Sequence, residues 1–257
     1  EREAPEVLVA ALRALGRLVV ELQSEALRTA SLQLVCRVLP GCSSNPNVEA
    51  CQIQALQLLR ALAKSEPMLL STQQGQGAVA TTFAAAKDAA PSVDDLDEVS
   101  TTAVAARECL RALARANASH VLPVVLEAAQ AASASADALD RAAAVHAVAF
   151  ALCGAREAPG GWAVPLARAL NDSAVWVRQA ACEGAMLLAE ELKPSTPTTQ
   201  GLELLLDTLM KLLPHEPNLE LLEKAAIAAS AILQELSTDE AAAFLPAEAP
   251  AIFQAVG

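Results

Sequence analysis

Few side chains in this 257-residue sequence could do chemistry. The cysteines are Cys36, Cys42, Cys51, Cys109, Cys153 and Cys182, and the histidines are His120, His146 and His215. No two cysteines form a CxxC pair and no two histidines fall at metal-ligand spacing, so neither a zinc site nor a disulfide frame is predicted. The cysteines read instead as small hydrophobes inside helices. One His-Glu pair, His215-Glu216, lies in a turn beside Pro217. Helical-repeat enzymes that hold iron use several such pairs, and one cannot complete that site. There is no Gly-x-Ser-x-Gly elbow and no phosphate-binding loop. The sequence predicts no catalysis, no metal and no cofactor.

What remains is recognition by charge. Asp94, Asp95, Asp97 and Glu98 form an acidic run, and Gln179, Glu183, Met186 and Glu190 recur at helical spacing as a stripe expected to face water. The chain carries 30 acidic against 18 basic residues, a formal net charge of −12. An acidic surface repels nucleic acid and attracts basic partners, although acidity also keeps an Ala-rich chain in solution. Both readings stay open at each cluster. The acidic run equally suits the first turn of a helix, where it favours the dipole, and Glu183 and Glu190 equally suit a solvated helix face.

The elements that must position these groups are helices. The chain is 54% hydrophobic and has no Tyr, and Ala and Leu dominate over strand-favouring residues. Gly160 to Leu192 shows the pattern most clearly. A short helix holding Pro165, Leu166, Ala167 and Leu170 meets a turn, Asn171-Asp172-Ser173. A second helix opens at Val175 and buries Val177, Ala181, Gly184 and Leu188. A short helix pair with an apolar flank calls for another pair beside it, which is the signature of a stacked repeat.

Further helices are expected at Pro5 to Leu22, with Val7, Leu8, Ala11, Leu15 and Leu18 buried, from Ser24 to Leu39, and at Val48 to Lys64. The next stretch, to Ala89, is weakened by Gly75 and Gly77. Then come a long helix to Ala116, a turn at Asn117 to Ser119, and helices at His120 to Ala131 and Leu139 to Leu152. Pro194 to Thr199 reads as a loop before helices at Leu202 to Leu213 and Leu219 to Leu236. Longer helices recur at a period of roughly 43 residues. The N-terminus opens with charged residues, EREAPE, and the most apolar run, Ala142 to Ala155, is too short to span a bilayer. A soluble intracellular chain is therefore expected, without nucleic-acid or membrane binding.

Asp172, with Val177 and Arg178 five and six residues later, resembles the HEAT-repeat pattern. Pro165 stands one residue from that pattern's proline. The resemblance implies an all-α HEAT-repeat α-α superhelix, a solenoid of five to six helix pairs. The repeats fall at about 24–64, 67–116, 119–157, 160–193 and 197–236, with partial repeats at both ends. It also implies a structural ladder through Asp172 and Arg178, with Arg141 and Lys224 at the position of Arg178. Trp162 and Trp176 flank the same turn and read as packing residues between repeats, with cargo anchors as the alternative. The chain opens on what reads as the second helix of a repeat and closes on the first helix of another, so a segment of a longer array is expected.

From Pro91 onward the order of elements resembles the middle of importin-beta (karyopherin-beta) family nuclear transport receptors. The residues that carry this are DDLDEVSTTAVAARECLRALA, HVLPVVLEA, DRAAAVHAVAFALCGA, the Asp172 repeat, and LEKAAIAASAILQEL leading to Phe244-Leu245-Pro246. The likeness is nearest to the branch that imports ribosomal proteins and histones. It implies a concave face of second helices that grips basic cargo, outer helices that meet the Phe-Gly repeats of the nuclear pore, and shuttling between cytoplasm and nucleus. On that mapping Asp94, Asp95, Asp97 and Glu98 match the family's acidic stretch, while Gln179, Glu183 and Glu190 lie on a concave helix. Ran-GTP would act mainly through repeats outside this chain. The alternative on the same fold is a non-transport HEAT scaffold of a multiprotein complex.

Overall fold

In the computed structural model, residues 5–22, 24–40, 46–87, 101–155 and 158–236 are described, and every regular element among them is a helix. The acidic run Asp94 to Glu98 and the segment Phe244-Leu245-Pro246 lie outside them. The chain forms two compact units, residues 1–156 and 157–257.

The first unit holds α1 (Pro5–Leu22), α2 (Glu25–Val38), α3 (Pro46–Ser65), α4 (Gln73–Lys87), α5 (Thr101–Ala132) and α6 (Ala138–Gly154), with a 3-10 turn at Pro67–Ser71. Helix α3 packs between α1 and the first half of α5, α2 packs on α3 and α4, and α5 packs on α4 and α6. Ser24 caps α2, its hydroxyl accepting from the Leu27 amide at 3.4 Å. Glu49 on α3 reaches across to accept the Thr102 amide at the start of α5, a carboxylate at the positive end of a helix. Asn117 breaks α5 with a non-helical backbone, so the long element is two helices meeting at the expected turn. Its side-chain amide donates to the Pro67 carbonyl, 50 residues earlier.

Two expectations need correction here. In α1 the buried residues are Leu12 and Val19, whereas Val7 is 59% and Leu18 39% exposed. Apolar residues surround most of this helix, so periodicity alone could not choose the covered side. Gly75 is a packing requirement and not a weak point. A methyl group there would strike the backbone of Leu69, so the glycine lets α4 fold back tightly on the turn before it. Gly154 does the same between α6 and the Arg111 carbonyl of α5.

The second unit holds α7 (Val164–Leu170), α8 (Val175–Glu191), α9 (Thr196–Leu212) and α10 (Leu219–Glu235). Helix α7 pairs with α8 and α9 with α10, while α7 lies beside α9 and α8 beside α10. Two such layers of paired helices are the stacking of an α-α solenoid. Val177, Ala181, Gly184 and Leu188 are buried on α8 as the spacing predicts. Of the loop expected at Pro194 to Thr199, Thr196 to Thr199 is instead the first turn of α9. Ser195 accepts the Thr198 amide and Pro197 occupies the first turn, together a helix-start signal.

Trp162 is the anchor of this unit. It is 1% exposed, its indole N–H donates to the Pro197 carbonyl at 3.0 Å, and its ring lies on Gly201, where no Cβ fits. Trp176 does not share that role. It is 43% exposed at the start of α8.

Candidate interaction surface

The turn before α8 is built by its own polar groups. The Asp172 carboxylate accepts the Ala174 amide at 2.9 Å, and Arg178 Nη1 donates to the main-chain carbonyls of Asp172 and Ser173 at 2.8 and 3.0 Å. The turn before α6 repeats this pattern. Arg141 Nη1 donates to the carbonyls of Ser135 and Ala136, six and five residues earlier, at 2.9 and 3.3 Å. An arginine one turn into the helix thus ties down the carbonyls of the turn in both places.

Arg178 also reaches the next helix pair. Its Nε and Nη2 donate to the two carboxylate oxygens of Glu216, 38 residues on, at 3.0 and 3.2 Å. Their side chains are 12% and 2% exposed, so this is a buried, forked pair. In the first unit Arg28 binds Glu66 with the same spacing of 38, by one contact at 3.3 Å. In both places the glutamate precedes a proline, Pro67 or Pro217. The recurring Arg…Glu-Pro spacing was readable in the sequence. The reading of Glu216 as one half of a His-Glu pair hid it. Lys224 behaves differently from the two arginines and binds Glu183 on α8 at 2.6 Å.

The predicted stripe on α8 lies along α10. Gln179 is buried, contrary to the expectation that it faces water, because it fits against α10 and donates to the Glu220 carboxylate at 3.2 Å. Glu183 is half-buried and its charge meets Lys224. Glu190 is exposed. Trp176 lies two heptads before Glu190 and one before Glu183, so it belongs to the same stripe. On α10, Glu220, Glu223 and Ile227 are exposed. The surface of α8 and α10 is therefore acidic, with an accessible indole at one end.

No group of three or more His, Cys, Asp or Glu side chains among the described residues could hold a metal. The Glu216 carboxylate is engaged by Arg178 and by the Asn218 amide. No helix among the described residues is long and apolar enough to cross a membrane. Burial pushes the thiols of Cys109 and Cys182 up to about 12, so both stay protonated and unreactive at neutral pH. Iodoacetamide at pH 8 is expected to leave Cys109 and Cys182 unlabelled in the native protein and to label both in urea, read by peptide mass spectrometry. Labelling of either at the rate of a free thiol would contradict this packing.

No family model matches the chain, and no curated protein matches it in sequence. Solved structures do. The crystal structure of Kap121p bound to Nup53p superposes with a TM-score of 0.76 at 19% identity, over 94% of this chain and 25% of that one. Kap121p bound to Ste12p gives 0.75 at 20% identity over the same shares. The karyopherin Kap121p bound to the extreme C-terminus of the protein phosphatase Cdc14p gives 0.74 at 18%, over 92% and 25%. The fold is the HEAT-repeat α-α solenoid of those karyopherin structures. The chain spans about a quarter of the length of these neighbours.

Proposed function

We propose that this chain is a segment of an importin-beta-like nuclear transport receptor and that it binds basic cargo on the surface of α8 and α10. The observation that carries the reading is the stripe Trp176, Glu183, Glu190 on α8 beside Glu220 and Glu223 on α10, set on a fold shared with cargo-bound karyopherin structures. Carboxylates supply the attraction for lysine and arginine, and the indole supplies a flat face for a cationic or aliphatic side chain. Lys224 pairs with Glu183 at 2.6 Å and with Glu220 at 3.7 Å, so the working charges are Glu190 and Glu223. The cargo class is ribosomal proteins or histones. The resemblance assigns the acidic run Asp94, Asp95, Asp97 and Glu98 to cargo binding in its own right, and on α8 Gln179 supports the surface by holding Glu220.

The rest of the transport cycle follows the same resemblance. Phe-Gly repeats of the nuclear pore meet the outer helices, Ran-GTP acts mainly through repeats outside this chain, and the receptor shuttles between cytoplasm and nucleus. The repeats of the solenoid run as 24–64, 67–116, 119–157, 160–193 and 197–236. The segment has no catalytic role.

The test is fluorescence anisotropy of a labelled lysine-rich peptide, in wild type and in Glu190→Lys/Glu223→Lys. Both positions are exposed, and neither change breaks the Lys224 pair, as a change at Glu183 would. Micromolar binding at low salt is expected, weakening with salt as exposed charges are screened. It should fall by roughly tenfold or more in the double variant. No binding at low salt, or equal binding by the variant, removes the reading and leaves a non-transport scaffold.

A further inference from the structure

The first unit carries a pocket of opposite sign. A cavity of about 540 Å³ opens between the C-terminal part of α3 and the first half of α5. Arg60 and Lys64, one turn apart on α3, and Arg115 on α5 line it, and all three are exposed at its rim. The rest of its lining is small and apolar: Ala61, Ala63, Pro67, Ala112 and Ala116. The nearby Glu66 carboxylate is drawn to Arg28. Among the described residues, none of the three rim cations makes an ion pair. In a chain of net charge −12, three unpaired cations around one cavity need a reason.

Helix-end compensation explains only part of this. Lys64 stands in the last turn of α3, and Arg115 stands just before the break at Asn117. Each helix end carries roughly half a negative charge. Two such ends offset about one cation, which leaves a surplus of about two positive charges. Arg60 is a full turn further back, where the end effect has faded.

We infer that this pocket binds a carboxylate-rich peptide segment of a partner protein. Arg60 and Arg115 supply planar forks that match carboxylates in pairs, and Lys64 adds a mobile charge. The small alanine lining leaves room for Glu or Asp stems. It offers no aromatic ring for a nucleobase to stack on, and three cations make no track along a phosphate backbone. An acidic peptide therefore fits better than a nucleic acid. The site lies within the first unit, so it stands or falls independently of the basic-cargo surface of the second.

The test uses the whole chain and a fluorescein-labelled peptide of alternating Glu and Gly, titrated by anisotropy at low salt. The probe is expected to bind, and binding should weaken as salt rises. Arg60→Ala/Arg115→Ala should reduce affinity by about tenfold or more. Arg60→Gln, which keeps most of the side-chain volume, should reduce it in the same direction with an unchanged circular dichroism spectrum. Lys211→Ala, which removes an exposed cation of the second unit, should leave it unchanged. No binding at low salt, or equal binding by both arginine variants, would overturn the inference. Tighter binding of a single-stranded oligonucleotide of equal charge would overturn it as well, by assigning the pocket to phosphate backbones.

Discussion

Trp162→Ala is expected to lower the stability of the second unit by about 3–5 kcal/mol, the usual range for deleting a buried large aromatic. The indole is 1% exposed, fills the space over Gly201 on α9 and donates to the Pro197 carbonyl. Its removal opens a cavity between α7 and α9 and strips a carbonyl of its donor. Gly201 gives the result a signature that cavity formation alone would lack. In wild type, Gly201→Ala must push a methyl group into the Trp162 ring, an overpacking change that costs about 1–3 kcal/mol. In the Trp162→Ala background the ring is gone, so the same alanine should become neutral or stabilising, because Gly in a helix costs about 1 kcal/mol relative to Ala. Urea denaturation of the four proteins measures this cycle. Additive effects, with Gly201→Ala equally harmful in both backgrounds, would contradict the contact.

The second large effect is at Glu216. Glu216→Ala is expected to cost about 3–5 kcal/mol, because it leaves the Arg178 guanidinium buried without its counter-charge. Arg178→Ala/Glu216→Ala should cost less than that single change, since no orphaned charge remains. The geometrically similar pair in the first unit supplies a control. The Arg28 side chain is as buried as Arg178, but Glu66 is 40% exposed and makes one contact at 3.3 Å, so Glu66→Ala should cost less than Glu216→Ala because water already reaches that side of the pair. Equal losses at Glu216 and Glu66 would show that burial does not set the strength of these links.

The helix pair around Asn171 to Ser173 was legible because its signals are local: turn residues, a capping carboxylate and an apolar stripe at helical spacing. Everything decided by a neighbouring helix was less so. Gln179 looks solvated on a single-helix wheel and is buried only because α10 lies along α8. Trp176 reads as a packing residue by its size, yet no helix covers its ring fully and it stays 43% exposed. Gly75 reads as a weak point in its helix, and the close backbone approaches of Gly75 and Gly154 exist only in three dimensions. Glu216 sits in a turn outside any apolar stripe, and only the Arg…Glu-Pro spacing it shares with Arg28 and Glu66 flags it. Of the candidate site, the carboxylates could be read from spacing. Which of them stay unneutralised could not, because Lys224 lies 41 residues from its partner Glu183.

The two tryptophans offer the most direct measurement of the central claim, that the α8–α10 surface receives a basic segment. Trp162 is shielded and Trp176 is accessible, so acrylamide quenching in the native protein reports mainly on Trp176. Saturation with a lysine-rich peptide is expected to lower the quenching constant markedly in wild type. It should have no effect in Trp176→Phe, which retains only the buried indole. An unchanged wild-type quenching constant, at peptide concentrations where anisotropy shows binding, would place the basic segment elsewhere and contradict the account.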